Sequence, residues 1–150
     1  MQINTALFGP QEIQDDDIIT FPEGLPGLEN NTRFKVFHEE GKPTVHWLQS
    51  VDDGNVCLSI MEPEMIGIGY DFSLSDEQSA MIDVQESDDL TVAVILAKET
   101  QNDEAPEVTE TIGGIRANLN GPLVINTRSR KGIQVALYKT QRLTVIKSLD

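Results

Sequence analysis

Apolar and polar positions alternate with a period of two along much of the chain, in short runs rich in β-branched side chains. Because successive side chains of a strand point to opposite faces of a sheet, this alternation predicts β-structure. Short strands at such spacing favour an all-β fold, a small antiparallel β-barrel or sandwich-like barrel, in a single domain over residues 1–150. The predicted strands are residues 3–8, 18–21, 33–37, 45–49, 56–61, 91–97, 123–127, 133–138 and 143–146.

Glycine and proline interrupt the alternation between most of these strands. The clearest hairpin joins residues 123–127 to residues 133–137 through the connection 128–132, which carries Gly132 near its end. Further turns are predicted at Gly9-Pro10, Gly41-Lys42-Pro43, Asp52-Asp53-Gly54-Asn55 and Gly121-Pro122.

One short helix is predicted near residues 75–82. Ser75 is a favourable N-cap, Gln78 follows three residues later as in a capping box, and Asp76 and Glu77 fall in the first turn, where the helix dipole stabilises negative charge. Residues 99–110 are polar, acidic and contain a proline, so they are predicted to form a solvated loop.

Two proline-glycine turns follow each other directly at residues 21–28. In Phe21-Pro22-Glu23-Gly24 the proline suits the second position of a type I turn, and in Leu25-Pro26-Gly27-Leu28 the glycine suits the third position of a type II turn, which requires a positive φ. Such a rigid loop with apolar side chains has two possible uses. It plugs the core, or it recognises a partner.

The net charge of −14 is distributed unevenly. Residues 1–110 carry 24 acidic and 4 basic side chains, whereas residues 111–150 carry 1 acidic and 7 basic ones. A surface of this kind repels phosphate backbones, which disfavours direct nucleic-acid binding and favours a basic protein partner, although solubility alone is an equally simple explanation. With neither a signal-peptide pattern nor an apolar run long enough to span a membrane, the chain is expected to be cytoplasmic and to lack a membrane partner.

Residues that commonly carry catalysis are few and poorly placed. His38 and His46 lie in or beside predicted strands without a triad or ligand spacing, and Cys57 is flanked by apolar residues. The aspartate pairs and triplets lack the glycine and terminal glutamate of a calcium-binding loop. The sequence therefore predicts no enzyme, no cofactor and no metal site.

Three motifs together resemble a known family. Residues 19–29, then Trp47-Leu48-Gln49-Ser50 with Asp52, and finally residues 118–126 followed by Gln134 are similar in order and spacing to the bacterial flagellar assembly factor FliW family. Two features depart from the family pattern: Leu28 stands where phenylalanine is usual, and residues 101–114 form a longer segment than expected.

The resemblance implies a non-enzymatic protein, expected to be a monomer, with two protein partners. One is flagellin, the filament subunit, held in the cytosol before export. The other is the carbon storage regulator CsrA, a small basic RNA-binding protein that represses flagellin translation. In this circuit the factor is occupied by flagellin and, once flagellin is exported, binds CsrA and relieves repression.

Roles for individual residues are predicted as follows. The motif glycines and prolines, Pro22, Gly24, Pro26, Gly27 and Pro122, are expected to set backbone shape. Trp47 is expected in the core, Phe21 is a structural residue of the first motif, and the polar motif residues Gln49, Asn118, Asn126 and Gln134 are expected to satisfy backbone groups where the barrel closes. The predicted contact residues are Glu23, Glu29, Asp71, Asp76 and Glu77 for CsrA, and Leu25 and Leu28 for flagellin.

Two other functions remain open from the sequence. One is a β-barrel that binds a small molecule or sugar. The other is a hydrolase with an unrecognised pair of carboxylates, which requires two close acids of which one has a raised pKa.

Overall fold

The structure is a computed structural model that describes residues 1–25, 27–39, 42–71, 73–85, 88, 90–98, 109–112, 115–118, 121–136 and 142–145. Within these ranges it contains one α-helix, α1 (Asp76–Met81), and 3-10 turns at Asp15–Asp17 and Pro63–Ile66. The strands are β1 (Gln2–Thr5), β2 (Gly9–Glu12), β3 (Ile19–Thr20), β4 (Arg33–Glu39), β5 (Lys42–Ser50), β6 (Cys57–Met61), β7 (Ile68–Asp71), β8 (Leu90–Lys98), β9 (Thr109–Ile112), β10 (Ile115–Asn118), β11 (Leu123–Asn126), β12 (Lys131–Gln134) and β13 (Arg142–Val145).

Seven strands close into a ring in the order β11-β12-β3-β4-β5-β6-β8, because β8 pairs with β11 as well as with β6. The prediction of an all-β barrel with one short helix is confirmed. All pairings in the ring are antiparallel except that of β12 with β3, which is parallel at Lys131 and Thr20. The edge of β8 that pairs with β11 through residues 90–93 pairs with β10 through residues 96–98, and β10 in turn pairs with β9.

The barrel encloses an apolar core. Phe21 and Phe34 are fully buried and meet edge to face with ring centroids 5.5 Å apart. The other buried members of this inner cluster are Ile19, Leu25, Leu48, Ile60, Ala93, Leu123 and Ile125. Burying side chains of this size supplies most of the favourable free energy of folding.

A second apolar cluster lies outside the ring, on the other face of β11. It contains Ile82, Val124, Ile133 and Val135, and Leu74 and Met81, which flank and end α1, pack against it. Strand β11 is consequently buried on both faces, with Leu123 and Ile125 pointing inward and Val124 outward. Helix α1 begins after Ser75, whose hydroxyl accepts from the Gln78 amide while the Gln78 side chain accepts from the Ser75 amide, as the predicted capping box requires.

Two predicted turns are wrong. Gly9 and Pro10 belong to β2, and the turn lies at residues 6–8, where the Thr5 hydroxyl accepts the Phe8 amide hydrogen. Proline is tolerated there because β2 pairs only with β1, so the missing amide falls on an open edge in the described sheet. Lys42 and Pro43 were likewise expected in a turn but begin β5.

The β11–β12 hairpin is confirmed, but its connection is residues 127–130 rather than 128–132. Lys131 pairs with Asn126 and Gly132 with Ile125, so Gly132 is a strand residue. A Cβ at Gly132 would stand 2.8 Å from the Phe21 ring, so glycine makes room for that ring. The positive φ of the turn, 58°, falls on Arg130 instead.

Strands β2, β7, β9 and β10 were not predicted. Thr109 and Glu110 belong to β9 and not to a solvated loop, because β10 provides a pairing partner that a local pattern of polar residues does not reveal. Residues 101–108 and 113–114, the rest of the unusually long segment, lie outside the described residues.

Candidate partner-binding site

The tandem-turn loop follows the predicted geometry. The Phe21 carbonyl accepts from the Gly24 amide at 2.8 Å, and the Leu25 carbonyl accepts from the Leu28 amide at 2.7 Å. Gly27 has a φ of 82°, as the third position of a type II turn requires. Pro22 is exposed, and Pro26 lies outside the described residues.

The apolar side chains of this loop point into the barrel. Phe21 is fully buried, Leu25 is 2 % exposed, and Leu28 is half-buried against the inner cluster. Leu25 therefore fills one end of the core and offers no surface to flagellin in this conformation, contrary to the contact role predicted for it. Leu28 is the member of the predicted pair that a partner can reach.

The second motif anchors the end of this loop. One oxygen of the Asp52 carboxylate accepts from the amides of Thr32 and Arg33, each at 3.0 Å, and the other accepts from the Arg33 guanidinium at 2.7 and 2.9 Å. Burial acts to raise the pKa of Asp52, but these hydrogen bonds outweigh it and lower the pKa. Ser50 donates to the side-chain oxygen of Asn31 at 2.6 Å, so the second motif holds the segment that directly follows the first motif at two points.

Glu23 and Glu29 are exposed and line one shallow depression of about 190 Å³ with Gly24, Ile133 and Gln134. The Glu29 carboxylate accepts from the Gly27 amide at 3.0 Å. This hydrogen bond, and then the amide of Glu29 itself, lower the pKa of Glu29. The loop geometry therefore holds a negative charge at a fixed position on the surface.

The remaining acidic residues predicted for CsrA lie on two other elements. Asp76 and Glu77 are exposed in the first turn of α1, which packs on β12, and Ile133 of β12 also lines the depression. Four of the five predicted acids are thus on the loop and helix next to β12. The fifth, Asp71, ends β7 and pairs with Arg142; its side chain lies outside the described part of the structure.

The polar motif residues bond to backbone groups. Gln49 is buried and donates to the carbonyls of Ser50, Gly54 and Val56, at 3.0 to 3.3 Å. The Gln134 amide donates to the Gly121 carbonyl at 2.9 Å, beside the buried Pro122, whose own carbonyl accepts from the Val135 amide. The backbone of Asn118 lies in β10, and its side chain is not described.

Trp47 lies half-buried in an aromatic group on the outer face of β4 and β5. Phe8 stacks on Phe37 with centroids 4.5 Å apart and meets Trp47 edge to face at 6.4 Å. The turn between β1 and β2 thus covers Trp47 from outside the barrel, whereas the sequence had suggested the core.

A buried polar group around Asp88 was missed by the sequence analysis. The Asp88 side chain is 3 % exposed and accepts from the Arg128 guanidinium at 2.8 Å, the Gln85 amide at 2.8 Å and the buried Asn126 side chain at 3.0 Å. The hydrogen bond from Arg128, then those from Gln85 and Asn126, lower the pKa of Asp88 to about 2. Asn126 also donates to the Ile82 carbonyl at 3.0 Å, so this group ties the segment after α1 to the β11–β12 turn.

Catalytic and metal chemistry find little support in the described residues. No group of three or more histidine, cysteine, aspartate or glutamate side chains there is placed to hold a metal ion. Burial raises the pKa of the Cys57 thiol to about 11, so it is not an activated nucleophile. No helix within the described ranges has the length and apolar character needed to cross a membrane.

Comparisons with known proteins agree with the motif resemblance. The sequence profile of the FliW protein family matches residues 2–148. The chain is similar to flagellar assembly factor FliW of Azoarcus sp. (strain BH72), with 47% identity over 140 residues that cover 93% of this chain and 92% of that protein. It is also similar to flagellar assembly factor FliW of Chromobacterium violaceum, with 38% identity over 136 residues, 89% of this chain and 91% of that one.

A crystal structure of the flagellar assembly factor FliW superposes on the fold with a TM-score of 0.77 and 27% sequence identity, covering 100% of this chain and 97% of that one. The profile match, the relatives and the shared barrel agree over nearly the whole length. The chain therefore belongs to the FliW protein family of flagellar assembly factors.

Proposed function

We propose that this chain is a monomeric, non-enzymatic, cytoplasmic switch that binds flagellin and, when flagellin leaves, binds CsrA and relieves repression of flagellin synthesis. Family membership supports the non-enzymatic role in flagellar assembly, because the relatives are named flagellar assembly factors and not enzymes. The observation that carries the proposal is the position of Glu23 and Glu29. Both belong to the family motif, both are exposed, and both line one depression.

Electrostatics explains how such a surface acts on CsrA. A protein that binds messenger RNA presents lysines and arginines, and a partner of net charge −14 approaches it under long-range attraction. Association is therefore fast and weakens as salt is added. Once docked, the acidic surface lowers the positive potential that attracts RNA, so repression is relieved even where the two footprints do not overlap.

Flagellin requires a different contact, because its amphipathic terminal segments must bury apolar faces. On the tandem-turn loop, Leu28 is the accessible apolar side chain of the predicted pair, and it directly precedes Glu29. Two proteins that each cover roughly 800 Å² cannot both contact adjacent residues. We therefore expect flagellin and CsrA to exclude one another at this loop.

The structure supports the two alternative functions, a hydrolase and a barrel that binds a small molecule, to different degrees. For a hydrolase, a general acid with a raised pKa is needed, but the carboxyl groups with shifted pKa in the described residues, Glu29, Asp52 and Asp88, are all lowered. The hydrolase interpretation therefore gains no support. A small-molecule function is supported by a separate cavity at the other end of the barrel.

The test is a competition experiment with purified proteins. We expect this chain to co-elute with flagellin alone and with CsrA alone in size-exclusion chromatography, and excess flagellin to displace CsrA. A ternary complex of all three would contradict the shared loop but not the two interactions. Absence of any complex with CsrA at low ionic strength would overturn the proposed switch.

A further inference from the structure

The inner face of the barrel changes from apolar to polar at the end opposite the tandem-turn loop. Inward-pointing side chains are two residues apart along each strand, because alternate side chains share a face. Toward this end, an apolar inward residue is followed by a polar one on each strand: Val36 by His38 on β4, Leu48 by His46 on β5, Ile60 by Glu62 after β6, Ala93 by Thr91 on β8, and Ile125 by Thr127 after β11. The five polar side chains form one ring at the barrel mouth.

The mouth opens into a cavity of about 360 Å³. Its floor and walls are aliphatic, formed by Ile19, Val36, Ile60, Ala93 and Ile125, and its rim is the polar ring together with Arg130. The volume falls in the range of small-ligand sites, as does the combination of an apolar wall with a few convergent polar groups. The opposite end of the barrel is filled by Phe21 and Leu25, so the cavity is a blind pocket.

Arg130 supplies the positive charge of this pocket. Its guanidinium Nη2 donates to the Asp17 carbonyl at 2.9 Å, which holds the side chain in place. Its Nε is buried and has no hydrogen-bond partner among the described residues. This Nε is shielded from the cavity, so Arg130 attracts an anionic ligand through its charge and its place in the pocket lining.

The two histidines of the rim are already ordered. They face each other on β4 and β5, with Nδ1 atoms 2.7 Å apart and the ring planes nearly perpendicular. One Nδ1 donates and the other accepts, so in the neutral pair the Nε2 of the accepting ring is a donor and the Nε2 of the donating ring is an acceptor. The rim thus offers one Nε2 hydrogen and the Thr91 and Thr127 hydroxyls as donors beside Arg130.

We propose that this pocket binds a small aliphatic carboxylate, with its carboxylate at Arg130 and the rim donors and its hydrocarbon chain against the isoleucine wall. Ile60 and Ile125 lie two residues inward of the rim, about 7 Å along the strand, which suits a short unbranched chain. The negative charge of Glu62 on the rim repels a second carboxylate of the ligand, so the pocket selects monocarboxylates over dicarboxylates. A sugar would leave the aliphatic wall without a matching surface.

The test uses three probes that share one hydrocarbon chain: hexanoate, 1-hexanol and hexylamine. Binding is followed by the methyl resonances of Ile19, Ile60 and Ile125 in the full-length protein. We expect saturable shifts with hexanoate, affinity lower by at least about tenfold with hexanol, and no saturation with hexylamine.

Variants distinguish a loss of ligand binding in the pocket from a loss of folding. Arg130→Met is expected to weaken hexanoate by about 10- to 100-fold, whereas Lys131→Met, which removes the same charge one residue away and outside the pocket, changes affinity by less than about threefold. Glu62→Gln is expected to tighten binding. Should Arg130→Met fail to fold, Thr91→Phe, at an exposed rim position, is expected to block the pocket instead.

Two results would overturn the inference. One is the absence of hexanoate shifts at the three isoleucines, and the other is equal affinity for hexanoate in Arg130→Met and the unmodified protein. Neither result bears on the proposed binding of flagellin or CsrA, which we expect at the opposite end of the barrel.

Discussion

The backbone of Glu29 crosses Gly24 so closely that a Cβ added at Gly24 would stand 2.9 Å from the Glu29 Cα atom. Gly24 also has a φ of 68°, which L side chains rarely adopt. The two turns of the loop therefore fold back on each other, and the position of the Glu29 carboxylate depends on a glycine five residues earlier.

This contact distinguishes the two motif glycines. Gly27 has a φ of 82° but open space around it, so Gly27→Ala is expected to cost only the backbone strain, about 1–2 kcal/mol. Gly24→Ala must in addition displace the Glu29 backbone and is expected to cost roughly 2–4 kcal/mol. Urea unfolding of both variants measures the difference. Equal losses would show that Glu29 does not constrain Gly24.

Leu25 and Leu28 provide a second matched pair. Leu25 is 2 % exposed, so Leu25→Ala is expected to destabilise the fold by about 2–5 kcal/mol. Leu28 is half-buried, and Leu28→Ala is expected to cost about 1 kcal/mol while weakening flagellin binding. Chemical denaturation and a flagellin pull-down check the two effects. Unchanged flagellin affinity in Leu28→Ala would place the flagellin contact elsewhere.

The lowered pKa of Asp88 predicts that the stability of the fold depends on pH. Its pKa is lowered in the folded protein to about 2, mainly by the hydrogen bond from Arg128, whereas an unfolded aspartate has a pKa of about 3.9. The contribution of Asp88 to stability is therefore fully present above about pH 4 and is lost as the pH falls toward 2. We expect Asp88→Asn to remove this acid-dependent loss and to lower stability near neutral pH.

NMR titration of the Asp88 carboxyl carbon measures the pKa directly, and urea unfolding between pH 2 and pH 5 measures the linked change in stability. Asp16→Asn is the matched control, because Asp16 is an exposed aspartate of the first 3-10 turn. A carboxyl carbon that titrates near pH 4 in the folded protein would contradict the hydrogen-bonded geometry around Asp88.

Local patterns in the sequence were sufficient to predict features that depend only on neighbouring residues. The capping box at Ser75 and the type II turn at Gly27 each depend on residues within four positions of one another, and both were predicted. Strands formed by continuous apolar runs, such as β8 and β11, were also recognised. Such a short apolar run between turn residues is typical of a strand with both faces covered, and β11 is buried on both faces.

Features that depend on distant residues were not predictable in this way. Gly132 looks like a turn residue, yet it is a glycine because the Phe21 ring occupies the space of its side chain. Thr109 and Glu110 look like a loop but pair with β10. The Asp88 group joins residues about 40 positions apart, and the cavity rim takes one residue from each of several strands. Only the closure of the barrel brings these residues together.

The acidic surface next to β12 gives the decisive test of the proposed CsrA contact. Reversing Glu23, Asp76 and Glu77 to lysine is expected to slow association with CsrA by at least about tenfold at low salt and to flatten its salt dependence. All three side chains are exposed, so the fold is expected to survive. Stopped-flow association rates at several salt concentrations measure the effect.

A second triple variant separates local from overall charge. Reversing Glu12 on β2 together with Glu62 and Glu64 at the second 3-10 turn, all exposed, changes the net charge by the same amount. If the surface next to β12 docks CsrA, this control lowers the association rate only modestly, because charges farther than a Debye length of about 10 Å from the contact are largely screened at moderate salt. Equal slowing in both variants would mean that net charge alone attracts CsrA and that the contact lies on another face.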